Sequence, residues 1–160
     1  MKQLHKILFI CMGNICRSPA AEGIMKHKVQ EQDLEHCFYI DSAGMHGWHE
    51  GELPDNRMRT HASRRGYALT SHSRPIKYND FEKFDLIIGM DDGNLQDLKR
   101  MAPDSESLRK IHRMTDFCTM HEADCVPDPY YGGSSGFELV LDLLEDACDG
   151  LLDQLKEQRN

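Results

Sequence analysis

The chain has 160 residues, of which 39% are hydrophobic and 29% charged, and it carries a formal net charge of −8. That length suits one domain, residues 1–160, with a single sizeable core. The acidic balance works against non-specific attraction to nucleic acid or an anionic membrane, and no run approaches the roughly 20 apolar residues of a membrane helix.

Lys6–Ile10 reads as a buried first strand. Its apolar run ends in Gly13-Asn14 without a small-residue cleavage pattern, so no signal peptide is predicted. Pro19–Val29 follows as a helix with proline in its first turn. Phe38–Asp41 forms a second strand and leads into Ser42-Ala43-Gly44. After a loop holding the only tryptophan, Trp48, residues Asp55–Arg65 are helical and stop at Gly66. Asp85–Met90 is a third buried strand, Asn94–Met101 a short helix ended before Pro103, and Lys110–Met114 a fourth strand. In the last helix Phe137, Val140, Leu141, Leu144, Cys148, Leu151, Leu152 and Leu155 follow the three-four spacing of one apolar face.

This alternation predicts an α/β fold: a short, twisted, mostly parallel four-stranded sheet with helices on both faces and an N-terminal phosphate-binding loop. Ligands in such folds bind beyond the carboxyl ends of the strands, which directs attention to the residues after Ile10. The six cysteines are too scattered for a disulfide scaffold, so reduced thiols in a cytoplasm are expected. Cys37 and Cys148 sit in apolar patterns and read as core. Cys118 and Cys125 are too far apart for a C-x-x-C site, and no metal is expected.

Cys11-Met12-Gly13-Asn14-Ile15-Cys16-Arg17-Ser18-Pro19 joins the first strand to a helix start. Backbone amides of such a loop form an anion-binding concavity, reinforced by the helix dipole. Gly13 and Asn14 are read as tolerating the unusual backbone angles of the curve. Arg17 offers a planar fork to two phosphate oxygens, and the positive surroundings suit Cys11 as a thiolate nucleophile. Ser18 is read as helix N-cap, as donor to the Cys11 sulfur, or as both. A Walker loop would need Gly-Lys-Ser/Thr, which the sequence lacks. Asp128, stiffened by Pro129, can give a proton to a leaving group and later activate water.

With these motifs in place, the stretch from Cys11 to Glu22 resembles the signature of the low-molecular-weight protein tyrosine phosphatases, and Asp128-Pro129-Tyr130-Tyr131-Gly132 resembles that family's acid loop. Ser42-Ala43-Gly44, Trp48, Met90-Asp91 and Asn94-Leu95 also stand where the family would place them. The resemblance implies hydrolysis of phosphotyrosine in protein substrates through a phosphocysteine. Cys11, Arg17 and Asp128 would be catalytic. Met12, Gly13, Asn14, Ile15, Cys16, Ser18, Trp48, Tyr130 and Tyr131 would line the substrate site, supported by Ser42 and His72. It implies no metal or organic cofactor, inorganic phosphate or other oxyanions as product or inhibitors, and a monomer or weak dimer. It also implies a protective Cys11–Cys16 disulfide. His72 lies in Ser71-His72-Ser73-Arg74-Pro75, a segment one residue shorter than the family pattern. Three alternatives remain: a protein-arginine phosphatase, which typically has Thr in place of Ile15; a thioredoxin-coupled arsenate reductase; and a non-catalytic phosphate-binding module.

Overall fold

A computed structural model describes residues 4–130 and 133–159. Four strands, β1 (His5–Cys11), β2 (Phe38–Gly44), β3 (Leu86–Gly89) and β4 (Ile111–Arg113), form one sheet in the order β2-β1-β3-β4. Each neighbouring pair runs parallel. Both faces of a parallel sheet are covered, and β1 alternates accordingly. Ile7, Phe9 and Cys11 join one core cluster, and Leu8 and Ile10 the other.

The first cluster is built with α1 (Arg17–Glu31), α2 (Asn56–Ser63) and α6 (Ser134–Arg159). The second takes Phe81 of α3 (Tyr78–Lys83) and Leu98 of α4 (Asp92–Met101). A short helix, α5 (Ser105–Arg109), precedes β4. The sequence reading leaves α3 and α5 out. They span only six and five residues, too short for an apolar period to show. Cys37 and Cys148 are buried in the core, as expected.

Because β1 lies between β2 and β3, the chain leaves it first to one side and then to the other. The loops after β1 and β3 therefore diverge at the carboxyl edge, opening a crevice at this switch point. The crevice holds the candidate site.

Candidate active site

Cys11 is the last residue of β1 and Arg17 the first of α1, so the loop between them bridges a strand end and a helix N-terminus. Close packing shapes the loop from below. A Cβ on Gly44, at the end of β2, would lie 2.9 Å from the Met12 carbonyl oxygen and 3.0 Å from the Asn14 nitrogen. Only glycine lets β2 approach this closely. Asn14 adopts a left-handed φ of 58°, while Gly13 lies outside the left-handed region. The sequence expectation is thus corrected at Gly13. Its missing side chain makes room for His49, whose Cδ2 would stand 3.0 Å from a Cβ there.

A chain of hydrogen bonds fixes the loop and reaches the sulfur. Asn14 Nδ2 donates to Ser18 Oγ at 2.7 Å and to Ser42 Oγ at 3.0 Å. Ser42 Oγ donates to the buried Glu22 carboxylate at 2.5 Å. Asn14 Oδ1 accepts from the Arg74 backbone at 3.1 Å. Ser18 Oγ lies 3.0 Å from Cys11 Sγ and 3.4 Å from the Ala43 carbonyl, so its hydroxyl can donate to a Cys11 thiolate. This use of Ser18 corrects its reading as N-cap. Cys16 occupies the cap position without a side-chain bond, and the first turn of α1 holds no acidic residue. The first-turn amides therefore remain available to an anion.

Arg17 is 1% exposed. Its Nη1 donates to Asp91 Oδ2 at 2.6 Å and to the Val126 carbonyl at 3.0 Å, and Nη2 lies 3.6 Å from Asp128 Oδ2. Burial disfavours the guanidinium charge, but Cys11, Asp91 and Asp128 outweigh it and raise the Arg17 pKa above the ordinary arginine value. Asp91 also caps α4, accepting from Asn94 N through Oδ1 at 2.8 Å. The acid loop is anchored at both ends of its approach. Val126 N donates to the Met90 carbonyl, and Asp146 of α6 accepts the backbone amides of Thr119, Met120 and His121. Asp128 Oδ1 then accepts from Tyr130 N at 3.0 Å, closing an Asx turn.

These groups surround a cavity of about 190 Å³ lined by Cys11, Met12, Gly13, Ile15, Cys16, Arg17, Trp48, His49, Asp128 and Tyr130. Of the residues the sequence predicts, Asn14, Ser18 and Ser42 stand behind this lining as supports. Trp48 is 67% exposed and stacks on His46 at 4.2 Å between centroids. The Arg57 guanidinium lies over the Tyr130 ring. Tyr131 falls outside the described residues. His72 is corrected: it is exposed, and its neighbours hold the loop instead. Ser73 Oγ donates to the Gly13 carbonyl at 2.9 Å, and Arg74 reaches Asn14. In this shortened segment the side chain that faces the loop is Ser73. Sequence reasoning also passes over Glu22, His49 and Asp91 as site residues. Only Asp91 left a signal, three residues before Asn94 at a helix start.

Comparison with known proteins agrees with this geometry. The family model for low molecular weight phosphotyrosine protein phosphatase matches residues 6–160. A low molecular weight protein-tyrosine-phosphatase of Streptomyces coelicolor is 39% identical over 157 residues, covering 96% of this chain and 95% of the relative. A protein tyrosine phosphatase from Entamoeba histolytica, solved with Hepes in its active site, superimposes with a TM-score of 0.94 at 47% identity, covering 98% and 99% of the two chains. A Drosophila arginine phosphatase superimposes with a TM-score of 0.88 at 34% identity, covering 94% and 98%. The chain belongs to the low molecular weight phosphotyrosine protein phosphatase family.

Proposed function

We propose that the protein hydrolyses phosphotyrosine in protein substrates, with Cys11 as nucleophile, Arg17 as phosphate clamp and Asp128 as proton donor. The observation that carries this reading is the convergence of all three on one cavity, with the Ser18 hydroxyl oxygen 3.0 Å from the sulfur. In the first displacement Cys11 Sγ attacks phosphorus in line. The S–P bond forms as the P–O bond to tyrosine breaks, and Asp128 gives its proton to the departing phenolic oxygen. In the second, the Asp128 carboxylate takes a proton from water as its oxygen attacks phosphorus. The S–P bond breaks, phosphate leaves and the thiolate is restored. Arg17 and the loop amides meet the charge on the transferring group.

The walls suit an aromatic substrate, since Ile15, Trp48 and Tyr130 present apolar surface to a planar ring. Inorganic phosphate and other oxyanions fit the same cradle as product or inhibitors. We place the protein in a reducing cytoplasm as a monomer or weak dimer, and no described helix is long and apolar enough to cross a membrane. A second reading, phosphoarginine as substrate, is favoured by the likeness to the Drosophila arginine phosphatase. Ile15 argues against it, because a guanidinium would lose hydration against this side chain and gain no hydrogen bond. The test is kcat/KM for phosphotyrosine, phosphoserine and phosphoarginine, with arsenate reduction assayed alongside. Phosphotyrosine should lead, and Ile15→Thr should shift the ratio toward phosphoarginine. A wild-type preference for phosphoarginine would reverse the assignment.

A further inference from the structure

Asp128 reaches the cavity on a segment, residues 118–130, that forms no helix or strand. Its place therefore depends on individual ties. Asp146 holds the segment at Thr119, Met120 and His121, and Met90 O and Arg17 hold it at Val126. A further tie comes from a residue that does not line the cavity. Arg113 Nη1 donates to the Asp124 carbonyl at 2.8 Å, while Nη2 lies 2.6 Å from Asp92 Oδ1. The fold dictates this reach. Arg113 ends β4 and pairs with Gly89, the last residue of β3, so it stands at the carboxyl edge beside the turn into α4. Side chains alternate along a strand, and Ile111 packs against the second core cluster, on the side of α4. Arg113 rises on that same side and meets Asp92 in the first turn of α4.

Met90, Asp91 and Asp92 thus form one hub between the two halves of the site. Asp91 aims Arg17 in the phosphate loop. Met90 directly, and Asp92 through Arg113, hold the segment that carries Asp128. A guanidinium suits this task because its two terminal nitrogens serve a carbonyl and a carboxylate at once, whereas a lysine offers one point charge on a flexible stem. We infer that Arg113 is a positioning residue of the reaction: held by Asp92, it fixes the Asp124 carbonyl and so sets where Asp128 meets the leaving group. The inference rests on the proposed role of Asp128 as proton donor. A misplacement of about 1 Å can cost about 100-fold in rate, and the loss of one tie among several should cost less, about tenfold.

The test compares kcat/KM of Arg113→Ala and wild type for a phosphotyrosyl peptide and for p-nitrophenyl phosphate, whose leaving group needs little protonation. The peptide should lose about tenfold, and p-nitrophenyl phosphate should change by less than about twofold. Orthophosphate affinity, read by calorimetry, should also stay within about twofold, since Arg17 and the loop amides are untouched. In an Asp128→Ala background the same substitution should add less than about twofold, because it acts through Asp128. Arg113→Lys, which keeps the charge, should recover part of the peptide activity. Equal losses with both substrates, a full further loss in the Asp128→Ala background or weakened orthophosphate binding would overturn the inference, as would unchanged kinetics throughout. Hydrogen exchange gives a readout without turnover. Residues 118–130 should exchange faster in Arg113→Ala, with the phosphate loop unchanged. Faster exchange there, together with an Asp128→Ala variant that shows no dependence on leaving group, would count against the proton-donor assignment alone.

Discussion

The buried Arg17 and the half-buried Asp91 form an ion pair at 2.6 Å that ties the phosphate loop to the start of α4. One carboxylate thus does two things: Oδ2 aims the guanidinium and Oδ1 caps a helix. Two substitutions separate them. Asp91→Asn keeps an oxygen for the cap but removes the charge that orients Arg17. It should weaken phosphate binding by about tenfold and cost about 3 kcal/mol in denaturant unfolding, because a buried cation is left short of its counter-charge. Asp91→Ala loses the cap as well and should cost about 1 kcal/mol more. Equal stability of the two variants would show that the cap and the pair are not separable.

The proton-donor assignment is tested by leaving group. Asp128→Ala should reduce turnover of phosphotyrosine by roughly 10²–10⁴-fold, the usual range for general acid–base catalysis. The loss should shrink for aryl phosphates whose leaving groups need little protonation. A loss independent of leaving group would remove Asp128 from this role.

How far the sequence reveals this site depends on how local each signal is. Cys11, Arg17 and Asp128 stand in short motifs at element boundaries, and all three line the cavity. The partners that aim them are distant in sequence. Asp91 lies 74 residues from Arg17, and Arg74 lies 60 from Asn14. No periodicity or capping rule encodes such a pairing. His49 was hidden differently. It stands in a polar loop among nine histidines, and only its packing on Gly13 distinguishes it. The fold was more legible because strand and helix periods are local. Even so, α3 and α5 were too short to register, and the sequence pattern gave no cue for the order that centres β1.

Cys16 also lines the cavity, but burial, and then Asp55, push its thiol well above the usual range. As resolving residue it would attack a Cys11 sulfenic acid, forming the disulfide and releasing water. The attacking species is the thiolate, so its scarcity should make this step accelerate as pH rises. Peroxide-treated enzyme should recover with a thiol reductant, and more fully when oxidised at pH 8 than at pH 6. Cys16→Ser should recover poorly at both. Equal recovery of the two proteins, with no Cys11–Cys16 disulfide by mass spectrometry, would refute the protective role.

Asp146 gives the pH dependence of the scaffold. Burial alone would raise its pKa, but hydrogen bonds from Thr119, Met120 and His121 outweigh it and hold the carboxyl well below the usual carboxylate range. A depressed pKa stabilises the fold fully above the unfolded value of about 3.9, and that contribution is lost as pH falls further. Asp146→Asn should lower Tm at pH 7, and the difference from wild type should narrow below about pH 4. A constant difference across that range would mean that the charge contributes nothing. Because the same bonds hold the stem of the acid loop, kcat should fall along with stability.

The most direct measurement is on the sulfur itself. Rapid quenching of the enzyme during turnover of a phosphotyrosyl peptide, followed by peptide mapping, should place a phosphoryl group on Cys11. The amount should increase in Asp128→Ala when a good leaving group is used, since the second step then lacks its base. Cys11→Ser should show no turnover while still binding orthophosphate through the loop amides and Arg17. Appreciable hydrolysis by Cys11→Ser, or a phosphoryl group trapped on any other residue, would contradict the account.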